Sequence, residues 1–409
     1  MPPGVRNLQV EYLFHEGTQK AELTAKVDVR PLVLQKRSDF PVTHWWRLES
    51  LYEYYKVDMN SDRCRQLTRA YLKNLVDHGN NMIFVPAWFP RSEVVARPAQ
   101  LLGIVETTPN NYEFDWTRVR EFVEQARECG AEAFEWPHLW IYWGVKHPER
   151  FYTQKSDGSW QLLFEPDSDG FGDRYVGFLK QLMASWHRFL LDERILEISY
   201  FHLSDEPGGD EHFANYTRAR QLLREIAPWM KVLDALSEVR YGKENLTDYP
   251  IPIISSAPDY IREGIPHWVY YCCGPRGAYV NRFMDTPLIK IRMTGWLFYR
   301  LKAQGFLHWG YNGWHVIEKD AIVDPFTQFD AGWYPGIPNG DPFVVYPGEN
   351  GPIDSIRWEV FFESLQDFAL LQTAGIDRDD ALLDAIKSYA DFPKSEDWLE
   401  EAIASVLSK

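Results

Sequence analysis

From residue 41 onward, short apolar runs alternate with longer stretches in which apolar residues recur every three or four positions. That rhythm is the signature of repeated β-α units around a parallel sheet. Eight runs read as strands: Val42 to Trp46, Asn81 to Trp88, Ala131 to His138, Ile195 to Ser204, Lys231 to Leu236, Ile251 to Ser256, His267 to Cys272, and Gly305 to Tyr311. Residues 62–78, 116–129, 174–191, 211–227 and 286–304 carry the helical period between them, and 355–372 carries it after the last strand. Asp115 and Gly130 bracket the second helix as N-cap and C-cap. Only the gap from 237 to 250 is too short for a long helix. Eight strands with intervening helices predict an α/β fold, a (β/α)8 TIM barrel spanning residues 41–375.

Residues 20–34 alternate apolar with polar, the period of a half-buried strand, so 1–40 is expected to form a short N-terminal β segment. The loop from Trp314 to Ile353, rich in Gly, Pro and Asp, is expected to lie over the catalytic face. Residues 376–409 are expected to form one or two capping helices at the C-terminus.

Composition narrows the function classes. A chain of 409 residues with 45% hydrophobic and 25% charged residues is an ordinary globular sequence. Its 43 Lys+Arg against 59 Asp+Glu give a formal charge of -16, which repels phosphate backbones and anionic lipid, and no basic run offsets it. Neither nucleic acid nor a membrane is an expected partner. With no apolar export segment at the start and no run of 18 apolar residues, the chain as given is expected to be cytoplasmic. Cys64, Cys129, Cys272 and Cys273 show no metal-ligand spacing and are expected to stay reduced; no metal or cofactor is expected. The 17 Trp residues fill a large core, stack on sugar rings, or do both.

In a barrel of this kind, functional residues sit at the carboxyl ends of the strands. Those ends carry His44 and Trp45, Trp88, His138, Asp205 with Glu206, Tyr271, and Trp309, Tyr311 and Asn312, with Glu238 just beyond the fifth. Aromatics, histidines and carboxylates suit a neutral hydroxylated ligand better than a phosphate, which wants a glycine nest or clustered arginines. Asp205 and Glu206 lie between an apolar strand and Pro207. As a catalytic pair they need environments that push one toward the ionised form and keep the other protonated. Consecutive residues on a regular strand point to opposite faces, so both acids can serve one pocket only if the chain distorts there, and Pro207-Gly208-Gly209 makes that break plausible.

The motifs Val42-Thr-His-Trp-Trp46, Phe201-His-Leu-Ser-Asp-Glu-Pro207, Tyr270-Tyr-Cys-Cys-Gly-Pro-Arg-Gly277 with Asn281-Arg-Phe283, Gly305-Phe-Leu-His-Trp-Gly-Tyr-Asn312, and Asp341-Pro-Phe-Val-Val-Tyr-Pro-Gly348 with Ser355-Ile-Arg357 form a specific set. Together they resemble the catalytic barrel of glycoside hydrolase family 123, the β-N-acetylgalactosaminidases, over most of the chain. The resemblance implies a retaining, substrate-assisted mechanism on a glycan with a terminal N-acetylhexosamine, an exception to the usual two-carboxylate scheme. On it, Asp205 orients the substrate's 2-acetamido group and Glu206 is the general acid and base. Tyr271, Trp309 and Tyr311 are expected by position to box the acetamido group and the ring. Trp88 is a further lining residue, and His44, His138, Asn312 and Arg276 are candidates for hydroxyl contacts. Members of that family commonly carry a full β-sandwich domain before the barrel, where this chain has residues 1–40, so substrate range is expected to differ. Three rivals stand beside this expectation: a conventional retaining glycosidase with Glu238 as nucleophile, a metal-dependent hydrolase using His138, His202 and His308, and a non-catalytic sugar-binding barrel.

Overall fold

The computed structural model describes residues 2–14, 17, 19–88, 99–141, 143–155, 159–316, 321–332 and 336–408. An antiparallel hairpin, β1 (Gly4–Phe14) and β2 (Gln19–Val29), precedes β3 (Val42–His44) and β4 (Met82–Phe84). After the hairpin of β5 (Gly103–Thr108) and β6 (Asn111–Asp115) comes β7 (Ala133–Trp136); after that of β8 (Tyr152–Gln154) and β9 (Trp160–Leu162) comes β10 (Ser199–Phe201). Then follow β11 (Leu233–Ala235), β12 (Tyr249–Ile251), β13 (Val269–Tyr270) and β14 (Phe306–His308), and a last hairpin of β15 (Val345–Pro347) and β16 (Pro352–Asp354).

Eight of these, β3, β4, β7 and β10 to β14, fall within or beside the eight apolar runs, each trimmed to two to four residues. They pair in parallel in three sheets, ordered β10-β7-β4, β11-β12 and β13-β14-β3. Single parallel bridges, Phe201 to Val232 and Ile253 to Tyr270, join the sheets at two seams. The third seam carries no ladder among the described residues. There Asn81 Oδ1 accepts from Val42 N at 2.8 Å, and Trp46 Nε1 donates to Phe84 O at 2.8 Å. The architecture is therefore a mixed α/β fold with parallel strands in chain order, and its backbone hydrogen bonding does not close a barrel as the sequence pattern led us to expect. The cause is local: the strands are short, and side chains occupy backbone groups that a ladder would use.

The helices match the 3.6-residue pattern closely. They are α1 (Leu48–Tyr55), α2 (Asp62–Asp77), α3 (Thr117–Cys129), α4 (Asp173–Asp192), α5 (Gly209–Ile226), α6 (Arg240–Lys243), α7 (Ala257–Arg262), α8 (Leu288–Arg292), α9 (Thr294–Arg300), α10 (Ile356–Thr373) and α11 (Glu396–Leu407). The stretch 286–304 holds two short helices, and only the four-residue α6 fits the short gap after β11. Gly130 ends α3 in the left-handed region at φ 106°, as expected of a C-cap. Asp115 lies one residue before the N-cap position and reaches forward instead, its Oδ1 accepting from Thr117 N at 2.9 Å. Gly295 is fixed by contact: a Cβ there would stand 1.8 Å from Ser364 O, so α9 can approach α10 only without a side chain.

The N-terminal hairpin departs from expectation. Leu8, Val10, Tyr12 and Phe14 share one face with Ala21, Leu23 and Ala25 in the β1–β2 register, yet the alternation does not bury them: Tyr12 is 53% and Leu23 58% exposed. Ala381–Leu383 forms a single 3-10 turn before α11.

Candidate active site

Asp205 and Glu206 lie beyond the end of β10, in the loop that leads to α5, and both are half-exposed. Glu206 has φ 45°, the left-handed region that costs a non-glycine residue of order 1 kcal/mol. The extended alternation is broken there, so adjacent acids need not point to opposite faces. Two donors meet the Glu206 carboxylate: Tyr270 OH donates to Oε1 at 2.5 Å, and Trp143 Nε1 donates to Oε2 at 3.3 Å. Burial and then the Glu206 charge push the Tyr270 phenol well above its ordinary pKa, which fixes it as a donor. Trp143, itself at φ 54°, also gives its backbone N–H to Asp205 O at 3.0 Å. One tryptophan thus touches both acids, through its main chain and its indole.

Beneath this loop is a buried charged network. His202 lies between two carboxylates, with Nε2 2.6 Å from Glu135 Oε1 and Nδ1 3.0 Å from Asp234 Oδ1. Burial alone would drive this imidazole neutral, but the hydrogen bonds and charges of Asp234 and Glu135 outweigh it and raise the pKa to about 9. His202 is an imidazolium at neutral pH. Asp234 also accepts from Leu203 N, at 3.1 Å to Oδ1, and from Tyr216 OH at 2.7 Å to Oδ2, while Glu135 accepts from Trp45 Nε1 at 2.5 Å and from Thr43 Oγ1. The network ties β3, β7, β10 and β11 together immediately below the two acids.

Of the other residues expected at the site, several are held in the core. His44 is buried, with Nδ1 2.6 Å from Asn80 Oδ1 and Nε2 2.7 Å from Arg282 Nη1; burial and the Arg282 charge hold it neutral, and both nitrogens are taken. Trp88 is fully buried against Trp186, its indole donating to His138 O at 2.7 Å. Tyr311 donates to Asn74 Oδ1 at 2.8 Å from inside the core, and Asn312 clamps the backbone of Arg47 with bonds of 2.7 and 2.9 Å. Tyr271 is buried against Phe306 and His308, because the strand alternation turns it away from the face that Tyr270 presents. All five lie buried in the core of this fold. His138 packs at a tilt against His202 with ring centroids 4.4 Å apart and lines a small cleft with Trp45, Arg47 and Glu49. Trp309 is half-buried and donates to Asp341 Oδ2 at 3.0 Å. Arg276 is exposed, holds Cys273 O at 3.0 Å, and borders a cavity of about 360 Å³ with Tyr279, Phe283 and Lys290.

Asp341 was not singled out by sequence. It is fully buried, its Oδ1 has no hydrogen-bond partner, and His308 Nε2 stands 3.7 Å away. Burial, then the nearby Cys273 thiol, raise its pKa to about 8 against the opposing pull of Arg282, Trp309 and Arg357. Glu238 is engaged elsewhere: Oε1 accepts from Gly209 N at 2.6 Å and Oε2 pairs with Arg240 at 2.7 Å. His138, His202 and Asp234 offer ligand atoms within 4.8 Å of one another. A metal there would have to displace the His202 proton from between two carboxylates, and His308, the third histidine of that rival, lies with Asp341 instead.

Tyr270, quoted in the sequence only as part of a motif, was given no role there, and neither were Trp143, Glu135 and Asp234. Tyr270 had a signal, since the strand-end rule reached its neighbour and missed the register by one. Trp143 had none, because it lies on a loop well past its strand.

Two adjacent acids beyond the end of a parallel strand, one of them met by an indole and a phenol donor, suit a glycoside hydrolase. The chain belongs to glycoside hydrolase family 123: residues 45–374 match that family's catalytic domain. No curated protein sequence matches the chain. Among solved structures it is similar to a family 123 glycoside hydrolase from Clostridium perfringens, described in connection with glycolipid glycan hydrolysis, with TM-score 0.72 and 16% identity over 100% of this chain and 75% of that one. It is more distantly similar to a β-mannanase from Thermomonospora fusca, with TM-score 0.40 and 13% identity over 81% and 91% of the two chains. Among the described residues no helix is long and apolar enough to cross a membrane.

Proposed function

We propose that the protein is a retaining exo-β-N-acetylgalactosaminidase, a β-N-acetylhexosaminidase that removes terminal β-linked N-acetylhexosamine with the substrate's own amide as nucleophile, on a scaffold that is a distorted (β/α)8 barrel. The observation that carries this is Glu206: left-handed, beside Asp205, and hydrogen-bonded by Tyr270 and Trp143. In the first step the 2-acetamido carbonyl oxygen attacks the anomeric carbon while Glu206 gives its proton to the departing glycosidic oxygen. Asp205 holds the amide N–H and stabilises the positive oxazolinium. In the second step Glu206 takes a proton from water, which opens the ring with net retention. Family membership supports the class of reaction, and the engagement of Glu238 with Gly209 and Arg240 argues against Glu238 as a conventional nucleophile.

A panel of aryl glycosides with and without the 2-acetamido group, in galacto and gluco forms, tests the proposal. Turnover confined to the acetamido sugars, with inhibition by the corresponding thiazoline, is expected. Comparable turnover of a plain galactoside would refute substrate assistance. Glu206→Gln is expected to lower kcat/KM by 10²-fold or more on substrates with poor leaving groups, in line with the usual worth of about 10² to 10⁴ for general acid–base catalysis. Unchanged hydrolysis by that variant removes Glu206 from the mechanism.

A further inference from the structure

Beside Glu206 the fold places two nucleophilic side chains that the proposed reaction does not use. Cys272 and Cys273 follow β13 directly. Consecutive side chains on a strand point apart, but the strand ends at Tyr270 and the chain turns back, Cys272 N donating to Gly274 O at 3.0 Å. The turn brings the two sulfurs to 3.6 Å without a disulfide. Two sulfurs bound at about 2.3 Å to one centre stand about 3.2 Å apart where the centre is pyramidal with near-right angles and about 3.8 Å where it is tetrahedral, and 3.6 Å falls between the two. The pair already has the bite of a chelate.

The frame around the pair is fixed. Asn281 Nδ2 holds Cys272 O at 2.9 Å and Arg276 Nε holds Cys273 O at 3.0 Å. Both residues are half-buried, so a small reagent can reach them, whereas Cys64 and Cys129 are buried on α2 and α3. The pair borders the acid: Tyr270, two residues before Cys272, donates to Glu206, and the charges of Asp341 and Glu206 act on the Cys272 thiol. The neighbouring thiol, burial and then the carboxyl groups of Asp341 and Glu206 push the Cys272 pKa up, which keeps Cys272 a thiol at neutral pH. A partner that accepts both thiol protons suits this pair better than a simple cation, which must displace them unaided.

We propose that Cys272 and Cys273 form a dithiol site for a trivalent, thiophilic metalloid centre of the organoarsenical class, and that its occupation lowers turnover at Glu206 by disturbing Tyr270, two residues before Cys272 and hydrogen-bonded to that acid. The step balances without an oxidant. Two As–S bonds form, the arsenic–oxygen bonds of the oxide break, both thiol protons leave with that oxygen as water, and arsenic stays trivalent. Binding stands on the thiol geometry alone; the effect on turnover rests on Glu206 being the acid.

The test uses the full chain, reduced, with phenylarsine oxide as the probe. Intact mass is expected to show one phenylarsenic group per chain, with two thiols lost from a titration under native conditions. Hydrolysis of an aryl N-acetylhexosaminide is expected to fall in step and to return on adding 2,3-dimercaptopropanol. Cys272→Ser and Cys273→Ser are each expected to weaken binding by about 10²-fold or more, the gain a second linked contact supplies, while Cys64→Ala leaves it unchanged. Cys272→Ala and Cys273→Ala, with circular dichroism, separate lost binding from lost folding. A wild type that takes up no arsenical, or a folded single variant that binds as the wild type does, overturns the site. Stoichiometric binding with full hydrolysis overturns the effect on turnover. Should the protein hydrolyse no N-acetylhexosaminide at all, the proposed activity fails, and mass and thiol counts still decide whether the site exists.

Discussion

His202 makes the pH dependence of stability a direct readout of the network under the acids. Its pKa stands at about 9 against an ordinary 6.5, a difference of about 2.5 units. At about 1.4 kcal/mol per unit this amounts to roughly 3 kcal/mol of folding free energy. Because the pKa is raised, the stabilisation is fully present below pH 6.5 and is lost as pH climbs through about 9. His202→Gln removes the titration and leaves Glu135 and Asp234 buried without a cation, a change of the kind that costs about 3 to 5 kcal/mol. Against the wild type, the variant is therefore expected to be least stable in acid and to recover most of its deficit in base.

The expected size can be worked out. An unfolding entropy of about 2.1 cal/mol/K per residue, taken over 409 residues, gives about 0.9 kcal/mol/K. A change of about 3 kcal/mol then moves Tm by about 3 to 4 °C. Thermal unfolding of both proteins at pH 6 and pH 10, at matched ionic strength, cancels every titration they share. The Tm gap should narrow by that amount at the higher pH. A gap that is equal at both pH values, or wider at pH 10, refutes the imidazolium between Glu135 and Asp234.

Three further changes probe the pocket and its frame. Tyr270→Phe removes the 2.5 Å donor from Glu206; a hydrogen bond to a charged group is worth about 1.5 to 3 kcal/mol, so kcat/KM should drop by about 10- to 100-fold with a displaced pH profile, and an unchanged profile would separate the phenol from the acid's function. Glu238→Gln should keep kcat/KM within about 3-fold, whereas a loss of 10³-fold or more, the scale of removing a catalytic group, would restore the conventional nucleophile. Gly310→Ala would place a Cβ 2.1 Å from Asp341 O; overpacking of that kind costs about 1 to 3 kcal/mol, and urea unfolding should show the loss together with a raised KM as Asp341 is driven from Trp309.

Much of the fold was legible because it rests on periodicity. The helices α2 to α5 and α10 lie within two residues of the stretches that the 3.6-residue pattern marked, since each buries one apolar stripe against the strands. Strand positions were legible too, but not their lengths: Ile195 to Ser204 is mostly apolar and gives only three strand residues, Ser199–Phe201, because a 3-10 turn precedes them. The site was legible where chemistry and position coincide, at Asp205 and Glu206. It was not legible where the strand-end rule stops, because the rule names residues without saying which way they point. His44, Trp88, Tyr271, Tyr311 and Asn312 all sit at strand ends and all turn into the core, whereas Tyr270 turns toward the acid. The N-terminal alternation failed for another reason: β1 and β2 carry the pattern of a buried face, and nothing in a period of two says whether a partner layer is at hand.

The short strands and the buried charges belong to one arrangement. Ladders of two to four residues fix strand spacing, and the chain beyond them, where the two acids must be aimed, is held by scattered backbone bonds such as Leu139 N to Leu203 O and Trp143 N to Asp205 O. The charged network supplies what the ladders lack. Asp234 on β11 takes the N–H of Leu203 and holds His202, Glu135 on β7 takes the other side of the ring, and Trp45 and Thr43 extend the same carboxylate to β3. An apolar core at this level would be as dense but would impose no direction on residues 202 to 206. Directional bonds to Leu203 N and His202 set where the chain leaves β10, and the left-handed turn at Glu206 then brings its carboxylate to Tyr270 and Trp143. The two costly features, a buried ion triad and a strained backbone, thus act in series on one side chain. Releasing the first in His202→Gln is therefore expected to lower kcat more than it raises KM, even at temperatures far below unfolding.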